Sequence, residues 1–421
     1  MGYSADAFIT KAVLFISLLA EASSLLSQSA GHHSPRILSQ HQHTHTYERC
    51  ILRELKGDSS KAQDSQKQPT AAAFINEIGV FSNVGSDPQR PQKVNQDAYF
   101  QASFQTPSDA NNDSSMYTCM GVLDGHGLKG HIVSEYLAHQ LPFLFQSYME
   151  NLLGMELHVH GVEPPGDFRA IKEKFPGIES EIKAFEEKIV TIAGISSKEL
   201  SLDDKSLVHQ AMVKSFHSAH VASMQEESIP AGRNGATCVM IVLEHSTSTI
   251  HVGHVGDSRA IRVNVEKGSD NNQHQFQISQ LSVETTVKIE TEKERIELGE
   301  GTIRGSNVFY GPVGIAMTRS LGNAVMLRGG VVPTPVMESF SLASPSPESM
   351  QYLVLATDGI WDVLTNEAVA EILVENLQRG GNAQSACDSI AEAARKKWVG
   401  DLPIVDEEKV DDITVMVVAL A

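Results

Sequence analysis

The sequence contains little cysteine and no excess of positive charge. Only four cysteines occur in 421 residues, and no two of them stand at the spacing of zinc ligands. So few cysteines in so long a chain argue against a disulfide framework, and Cys119 and Cys238, which lie in apolar runs, are expected in the core. The net charge of −19 argues against a nucleic-acid partner, because that kind of surface needs basic residues to neutralise phosphates.

Other familiar patterns are missing as well. The chain has no internal repeat, no heptad array and no phosphate loop of the form G-x-x-x-x-G-K-[ST]. Its apolar N-terminal run, residues 12–20, is too short to cross a membrane. We therefore expect no membrane span, no coiled coil and no nucleotide site of the P-loop kind.

Residues 1–72 are predicted to form an N-terminal extension. The run at 12–20 fits either the apolar part of a signal peptide within a targeting segment 1–30, or an amphipathic helix that packs on the domain or on a partner. Residues 31–70 are polar and rich in His, Gln and Ser, as in a flexible linker. A location in the cytoplasm or nucleus is expected, with secretion or organelle targeting by residues 1–30 as the alternative.

The folded domain is predicted to cover residues 73–421, where short apolar runs alternate with turn signals and helical periodicity. Residues 152–205 match no pattern apart from a charged helix and are interpreted as an insertion. Strands followed by helices and then by more strands favour an α+β sandwich over an alternating parallel fold. Strand-like runs include 116–123, 236–243 and 352–357, and helical patterns cover 132–149, 179–192, 207–224, 290–298, 366–377 and 383–398.

Aspartates follow or precede several of the apolar runs. One Asp-Gly pair alone is most often a hairpin turn, but turns do not require an acid at so many strand ends. Five carboxylates at one edge of a sandwich would repel one another unless cations lay among them, and Mg²⁺ or Mn²⁺ suit oxygen ligands. Two such ions could activate a water for hydrolysis of a phosphate ester. The five residues are Asp97, Asp124, Asp257, Asp358 and Asp411.

Seven motifs, taken in order, resemble those of the metal-dependent serine/threonine phosphatase family of type 2C. Each motif alone is weak, but together they are specific, and they span roughly residues 74–421. They are Lys93-Val94-Asn95-Gln96-Asp97, Asp124-Gly125-His126-Gly127, Gly235-Ala236-Thr237, Gly253-His254-Val255-Gly256-Asp257-Ser258-Arg259, Ala316-Met317-Thr318-Arg319-Ser320-Leu321-Gly322, Ala356-Thr357-Asp358-Gly359-Ile360-Trp361-Asp362-Val363 and Asp411-Asp412-Ile413-Thr414.

The resemblance implies a central sandwich of two antiparallel β-sheets flanked by α-helices, in four layers α/β/β/α, with a two-metal centre at one end. It further implies two Mg²⁺ or Mn²⁺ ions, bridged by Asp124, and a weaker third ion. The implied metal ligands are Asp97, Asp124, the carbonyl of Gly125, Asp358 and Asp411, with Asp257 and Asp362 for the third ion.

The resemblance also implies the catalytic groups. His126 is similar to the proposed general acid of the family, which would protonate the leaving oxygen. Lys93, or Arg90 reaching in, would hold the substrate phosphate. The expected enzyme hydrolyses phosphoserine and phosphothreonine in proteins and is a monomer. The alternative is a pseudophosphatase that uses the same fold as a binding or regulatory module.

The chain departs from the family pattern at three places. Asn323 stands where an aspartate is usual, and tuning rather than loss of activity is expected from it. Glu284-Thr285-Thr286 replaces a common Asp-His or Asp-Gln pair followed by proline, and Asp412 replaces a frequent asparagine. Arg259 and Arg319 are expected to be ion-pair partners within the fold, His254 a structural histidine and Trp361 a core residue.

Overall fold

The computed structural model describes residues 75–108, 114–160, 179–193, 202, 205–267, 274–342, 349–400 and 409–420. The predicted extension 1–72, with its targeting segment and linker, lies outside the described residues. Within those residues, no helix has the length and apolar character needed to cross a membrane.

Sixteen strands form in the described part of the chain. They are β1 (Ile75–Asn83), β2 (Asp97–Gln105), β3 (Met116–His126), β4 (His158–His160), β5 (Gly235–Ala236), β6 (Cys238–Glu244), β7 (Thr249–Val255), β8 (Arg259–Lys267), β9 (His274–Gln280), β10 (Thr302–Arg304), β11 (Asn307–Tyr310), β12 (Val313–Ile315), β13 (Leu321–Gly322), β14 (Val336–Ser341), β15 (Ser349–Ala356) and β16 (Ile413–Leu420).

Seven α-helices and a 3₁₀ turn accompany the strands, again within the described residues. The helices are α1 (Gly130–Leu153), α2 (Glu179–Ala193), α3 (Leu207–Gln225), α4 (Glu290–Leu298), α5 (Asp358–Trp361), α6 (Asn366–Gln378) and α7 (Ala383–Val399), and the 3₁₀ turn is Ala324–Gly329. The six helical patterns predicted from sequence are confirmed, with bounds that differ by a few residues at most.

Two antiparallel sheets make the centre of the domain. The first contains five strands in the order β1-β16-β15-β8-β9. The second runs β13-β5-β3-β6-β7-β14, and β2 pairs with β3 on one side and with β4 on the other. Every residue of β16 is buried, because this strand is central in its sheet and both of its faces are covered.

Strand periodicity divides β16 between two cores. Ile413, Val415, Val417 and Ala419 point toward α6 and α7, whereas Met416, Val418 and Leu420 point toward the other sheet. On the far side, α1 and α3 cover the second sheet, with Leu137 and Phe216 fully buried there. The layers are therefore α/β/β/α, and the predicted α+β sandwich is confirmed.

A small subdomain projects from this sandwich. Strands β10, β11 and β12 form a three-stranded antiparallel sheet, which packs with α4 and the 3₁₀ turn around Ile296, Val308 and Met326. Helix α2, from the predicted insertion, packs its Phe185 and Ile189 in one cluster with Val221 of α3. Residues 161–178, 194–201, 203 and 204 of that insertion lie outside the described residues.

Candidate active site

The register of two strands brings the first pair of aspartates together. Asp97 and Asp124 lie directly opposite each other on β2 and β3, so their side chains leave the same face of the sheet. The strand end is held by Thr237, whose N–H donates to the carbonyl of Asp124 (2.9 Å) and whose hydroxyl accepts from the N–H of Asp124 (3.0 Å). Like charges in this position are destabilising unless something compensates them.

The remaining predicted acids come from the other sheet and from the connection between the sheets. Asp358 begins α5 directly after β15, and Asp411 lies just before β16, the strand that pairs with β15. Asp257 lies in the turn that leads from β7 of the second sheet to β8 of the first. Both sheets therefore deliver carboxylates to one end of the sandwich.

Burial, together with the negative charges of their neighbours, raises the pKa values of these carboxylates. Burial, followed by Asp358, Asp97 and Asp257, raises the pKa of Asp124 well above its ordinary value. Burial and then Asp257 and Asp411 do the same for Asp358. Burial is also the main cause that raises the pKa of Asp97 to about 7 and that of Asp257 to about 6. Without counter-charges, several of these groups would hold protons near neutral pH.

A cavity of about 690 Å³ opens above the acids. Four of the predicted aspartates line it together with Gly125 and His126: Asp124, Asp257, Asp358 and Asp411. Asp97 is not among the lining residues, and its Oδ2 accepts a hydrogen bond from the hydroxyl of Thr357 (2.9 Å). Asp362 lines another cavity, of about 350 Å³, with Arg259 and Trp361. After burial, its charge is among the causes that raise the pKa of Asp257 and of Asp358, so it lies within electrostatic reach of the main group.

The donor set fits hard divalent cations. In the described part of the chain, no three His, Cys, Asp or Glu side chains stand ready to hold a metal ion by themselves. However, the Oδ1 atoms of Asp97 and Asp257 are buried and have no hydrogen-bond partner among the described residues. Mg²⁺ or Mn²⁺ would satisfy these oxygens and would offset the repulsion, with water completing the coordination shell.

Packing explains why residue 125 is a glycine. A Cβ at this position would collide with the carbonyl of Gln96 and with the backbone of Gly130. The N–H of Gly125 donates to that Gln96 carbonyl (2.9 Å), which holds the loop before β2 against β3. Glycine is therefore required here for steric reasons, independently of any metal binding by its carbonyl.

His126 is held by two polar residues that are distant in sequence. Its Nε2 contacts the side-chain amide of Asn323 and lies 3.4 Å from the hydroxyl of Ser320. Burial lowers the pKa of His126 to about 4, so the imidazole is neutral at pH 7. Asn323 has a φ of 48°, a left-handed conformation that asparagine tolerates better than most residues.

Of the two basic residues predicted to hold the substrate phosphate, Lys93 forms ion pairs with aspartates. The Nζ of Lys93 lies 3.1 Å from both Asp411 and Asp412, and only 7% of its side chain is exposed. Burial acts to lower the pKa of Lys93, but these two carboxylates outweigh it and the pKa is raised. Arg90 lines the cavity, with half of its side chain exposed and its Nε bonded to Asp87 (2.8 Å).

The departures Asp412 and Thr285 have structural roles. The carboxylate of Asp412 accepts from the N–H groups of Gly85 (2.7 Å) and Gln96 (2.9 Å), and so fixes the loops on either side of Lys93. The hydroxyl of Thr285 accepts from the N–H of Gly256 (2.7 Å), which fixes the turn that carries Asp257.

The structure confirms the structural roles expected for four residues: Arg259, Arg319, His254 and Trp361. Arg259 pairs with Glu284 and lies over the ring of Trp361, which is buried. His254 is buried, and its Nε2 lies 2.7 Å from the carbonyl of Val283. Arg319 joins Glu292 (2.6 Å) in a buried network that the sequence did not reveal, although Glu292 and Arg295 stand three apart on one helix face.

Sequence reasoning also missed part of the cavity wall. Arg233, Lys409, the exposed Leu128 and residues 312–315 line the cavity but belong to no motif that carries chemistry. The basic residues are isolated in the sequence, and only the fold places them together. The contact of Asn323 with His126 was missed for the same reason, although the unusual residue after Gly322 was a signal.

The chain is similar to known proteins in both sequence and structure. A sequence model of one family, Protein phosphatase 2C, matches residues 175–401, more than half of the chain. This range contains Asp257, Asp358 and Asp362, whereas Asp97, Asp124 and Asp411 fall outside it.

Two relatives from Arabidopsis thaliana are each similar over 71% of this chain. One is Probable protein phosphatase 2C 61, 27% identical over 310 residues that make up 71% of this chain and 74% of the relative. The other is Probable protein phosphatase 2C 1, 28% identical over 309 residues, 71% of this chain and 58% of the relative. The fold is similar to the crystal structure of serine-threonine phosphatase 2C from Toxoplasma gondii, with a TM-score of 0.51, 19% identity, and coverage of 84% and 97% of the two chains.

Proposed function

This chain belongs to the protein phosphatase 2C family and is a serine/threonine protein phosphatase, and from that premise we propose a metal-dependent mechanism at the acidic cavity. The substrates would be phosphoserine and phosphothreonine in proteins, and the cofactors two Mg²⁺ or Mn²⁺ ions. The observation that carries the proposal is the buried group of like-charged carboxylates, two of which have oxygens without any hydrogen-bond partner among the described residues.

Each acid has a part in this proposal. Asp124 lies where the carboxylates from both sheets meet, and it would bridge the two ions with help from the carbonyl of Gly125. Asp358 and Asp411 would hold the second ion, and Asp97 would support the first. When bound, the ions supply a water of lowered pKa as nucleophile and neutralise the oxygens of the phosphate. Asp257 and Asp362 would serve a weaker third ion on the side of the smaller cavity.

The polar residues around the acids would orient the substrate. Arg90 at the cavity mouth would hold the phosphate, while Lys93 keeps Asp411 and Asp412 in place and adds positive charge below it. His126 would give a proton to the leaving serine or threonine oxygen. The imidazole is neutral at pH 7 in the free protein, so it must gain a proton before it can act as an acid. The negative charge of a bound phosphate would favour this protonation in the complex.

The proposed function is tested by metal dependence. The purified full chain is incubated with para-nitrophenyl phosphate and with a phosphothreonine peptide, in EDTA and then with Mn²⁺ or Mg²⁺. We expect turnover of both compounds only when a divalent ion is present, and loss of turnover when EDTA is added again. Absence of metal-dependent turnover would contradict the proposal and favour the pseudophosphatase expected as the alternative.

A second prediction concerns His126 and its partner Asn323. In His126→Asn, kcat for the phosphothreonine peptide is expected to fall about 10²-fold, because the alkoxide leaving group needs a proton. Hydrolysis of para-nitrophenyl phosphate, whose leaving group is stable as an anion, should fall only a few-fold. Asn323→Ala should show the same contrast with a smaller loss, because it frees the imidazole to turn away.

The contrast between the two compounds is the informative readout. A merely structural effect of either substitution would reduce the two rates equally. Equal losses would therefore remove His126 from the role of general acid, and Asn323 from the role of its positioning residue.

A further inference from the structure

Strand β12 forms an open edge of the small sheet. Its residues pair with β11 on one side, as in Val313 with Tyr310 and Ile315 with Val308. In the part of the chain that the structure describes, no strand pairs with the other side of β12 itself, and the first backbone bridge beyond it joins Met317 to Thr286. Such an edge offers unpaired N–H and C=O groups to another extended segment.

This open edge faces the cavity that contains the aspartates. Six consecutive residues, 312–317, line that cavity. Neighbouring side chains of a strand point to opposite faces, so an unbroken run of lining residues means that the edge of the strand borders the cavity. Val313 and Ile315 pack into the apolar cluster of the small subdomain and anchor the strand, while Gly314 and Ala316 are exposed.

The pairing pattern assigns the outward groups to Gly314. Tyr310 and Val313 flank a two-residue turn, whose Gly311 has a φ of 57°, and in such a turn the first and fourth residues are hydrogen-bonded. Antiparallel pairs alternate, so Gly314 and Phe309 form the next, non-hydrogen-bonded pair. A Cβ on Gly314 would collide with the ring of Phe309, as expected where side chains approach closely. The N–H and C=O of Gly314 therefore point toward the cavity.

Besides the aspartates, the cavity wall contains basic side chains that could bind a negatively charged group. Arg90, Arg233 and Lys409 line it, although the chain as a whole has a net charge of −19. Leu128 stands beside them with 84% of its surface exposed and offers an apolar contact. An extended peptide that carries a phosphate would meet backbone partners, cations and an apolar side chain along one cleft.

We propose that the phosphoprotein substrate binds as an extended segment whose backbone pairs with Gly314 at the open edge of β12, beside the residue whose phosphate enters the cavity. The inference rests on the proposed function, because the cavity must receive a phosphate ester. Backbone pairing is indifferent to most side chains, so the substrate class is phosphoserine or phosphothreonine within an unstructured or locally unfolded segment. Phosphates on helices would be poor substrates.

The test replaces single amides of the substrate by esters. A phosphothreonine peptide is made in a series in which each amide within four positions of the phosphothreonine becomes an ester, which cannot donate a hydrogen bond. We expect kcat/KM to fall about tenfold at one position, or at two positions spaced two apart, and less than about twofold at their neighbours. A flat profile across the series would overturn the proposal.

Two variants of the enzyme give the matching test from the protein side. Gly314→Pro removes the N–H, whereas Gly314→Ala keeps it and adds the same Cβ near Phe309. We expect kcat/KM for the peptide to fall at least about fivefold further in the proline variant than in the alanine variant. Equal losses in the two variants would overturn the assignment of Gly314.

Hydrolysis of para-nitrophenyl phosphate by the unsubstituted enzyme separates this inference from the proposed function. The compound has no peptide backbone to pair with the strand. If it is not hydrolysed with Mn²⁺, the proposed function fails and the inference with it. If it is hydrolysed while the ester series is flat, only the inference fails.

Discussion

Replacing Asp124 with asparagine is expected to reduce metal-dependent hydrolysis by at least about 10³-fold while making the metal-free protein more stable. Activity falls because Asp124 lies where the carboxylates of both sheets meet, and an amide is a poor bridge between cations. Stability rises because the substitution removes one of several buried like charges, and burial and repulsion already raise the pKa of this group. Thermal unfolding in EDTA and kcat with Mn²⁺ measure the two effects.

Two controls distinguish this cause from misfolding. The unfolding temperature of the unsubstituted protein should rise when Mn²⁺ is added, and that rise should be much smaller in Asp124→Asn. A variant that unfolds earlier than the parent in EDTA would contradict the account, because the carboxylate would then be contributing to the metal-free fold.

The pH dependence of the metal-free protein follows from the same repulsion. The pKa of Asp97 in the fold is about 7, above its ordinary value of 3.8, so the folded protein holds a proton that the unfolded chain releases between these values. Stability in EDTA therefore falls as the pH rises from about 4 to about 7. Bound cations should flatten this slope, because they stabilise the ionised carboxylates.

Glu292→Gln is expected to lower the free energy of unfolding by about 3–5 kcal/mol. The carboxylate accepts hydrogen bonds from Arg295 (2.6 Å), from Arg319 (2.6 Å) and from the hydroxyl of Thr318 (2.7 Å), and all three charged side chains are buried. Although burial alone would raise the pKa of Glu292, the two guanidinium groups hold it well below its usual range. The amide would remove the negative charge that Glu292 supplies to both buried guanidinium groups.

Urea unfolding of the full chain measures this loss, and a second glutamate on the same helix provides the control. Glu290 is exposed and, among the described residues, its one ion pair is with Lys293 at 3.4 Å, so Glu290→Gln should change stability by less than about 0.5 kcal/mol. Similar losses in the two variants would show that helix α4, rather than the buried network, determines the result. The network also holds Arg319, which directly precedes Ser320. The hydroxyl of Ser320 accepts a hydrogen bond from the side-chain amide of Asn323, and that amide contacts His126. We therefore expect Glu292→Gln to lower activity as well.

Much of the fold could be predicted because its signals are local. Apolar runs such as 352–357 and periodic segments such as 132–149 specify a strand and a helix within one stretch of chain, and both are confirmed. The small sheet could not be predicted in this way. Strands β10 and β12 have three residues each, which is too short for a period of two to be recognised.

The site follows the same division. The aspartates could be proposed as a group because each flanks an apolar run, a local feature. The contact of His126 with Asn323 and the pairing of Lys93 with Asp411 depend on residues 197 and 318 positions apart, and no local pattern carries that information. The proposed assignment of Arg90 rather than Lys93 to the phosphate therefore required the fold.

The pairing of β1 with β16 has a consequence for biosynthesis. Phe81 lies opposite Val415, so 334 further residues, 82 to 415, must be synthesised after Phe81 before the two can pair. At about 5–20 residues per second, that takes roughly 17–70 s, during which β1 lacks its neighbour in the sheet and Asp97 and Asp124 lack Asp411. On the proposed metal site, we expect the nascent chain to lack phosphatase activity until the last described strand has emerged, and a chain truncated before β16 to lack it permanently. Until then its unpaired strand edges are the part that chaperones would need to shield.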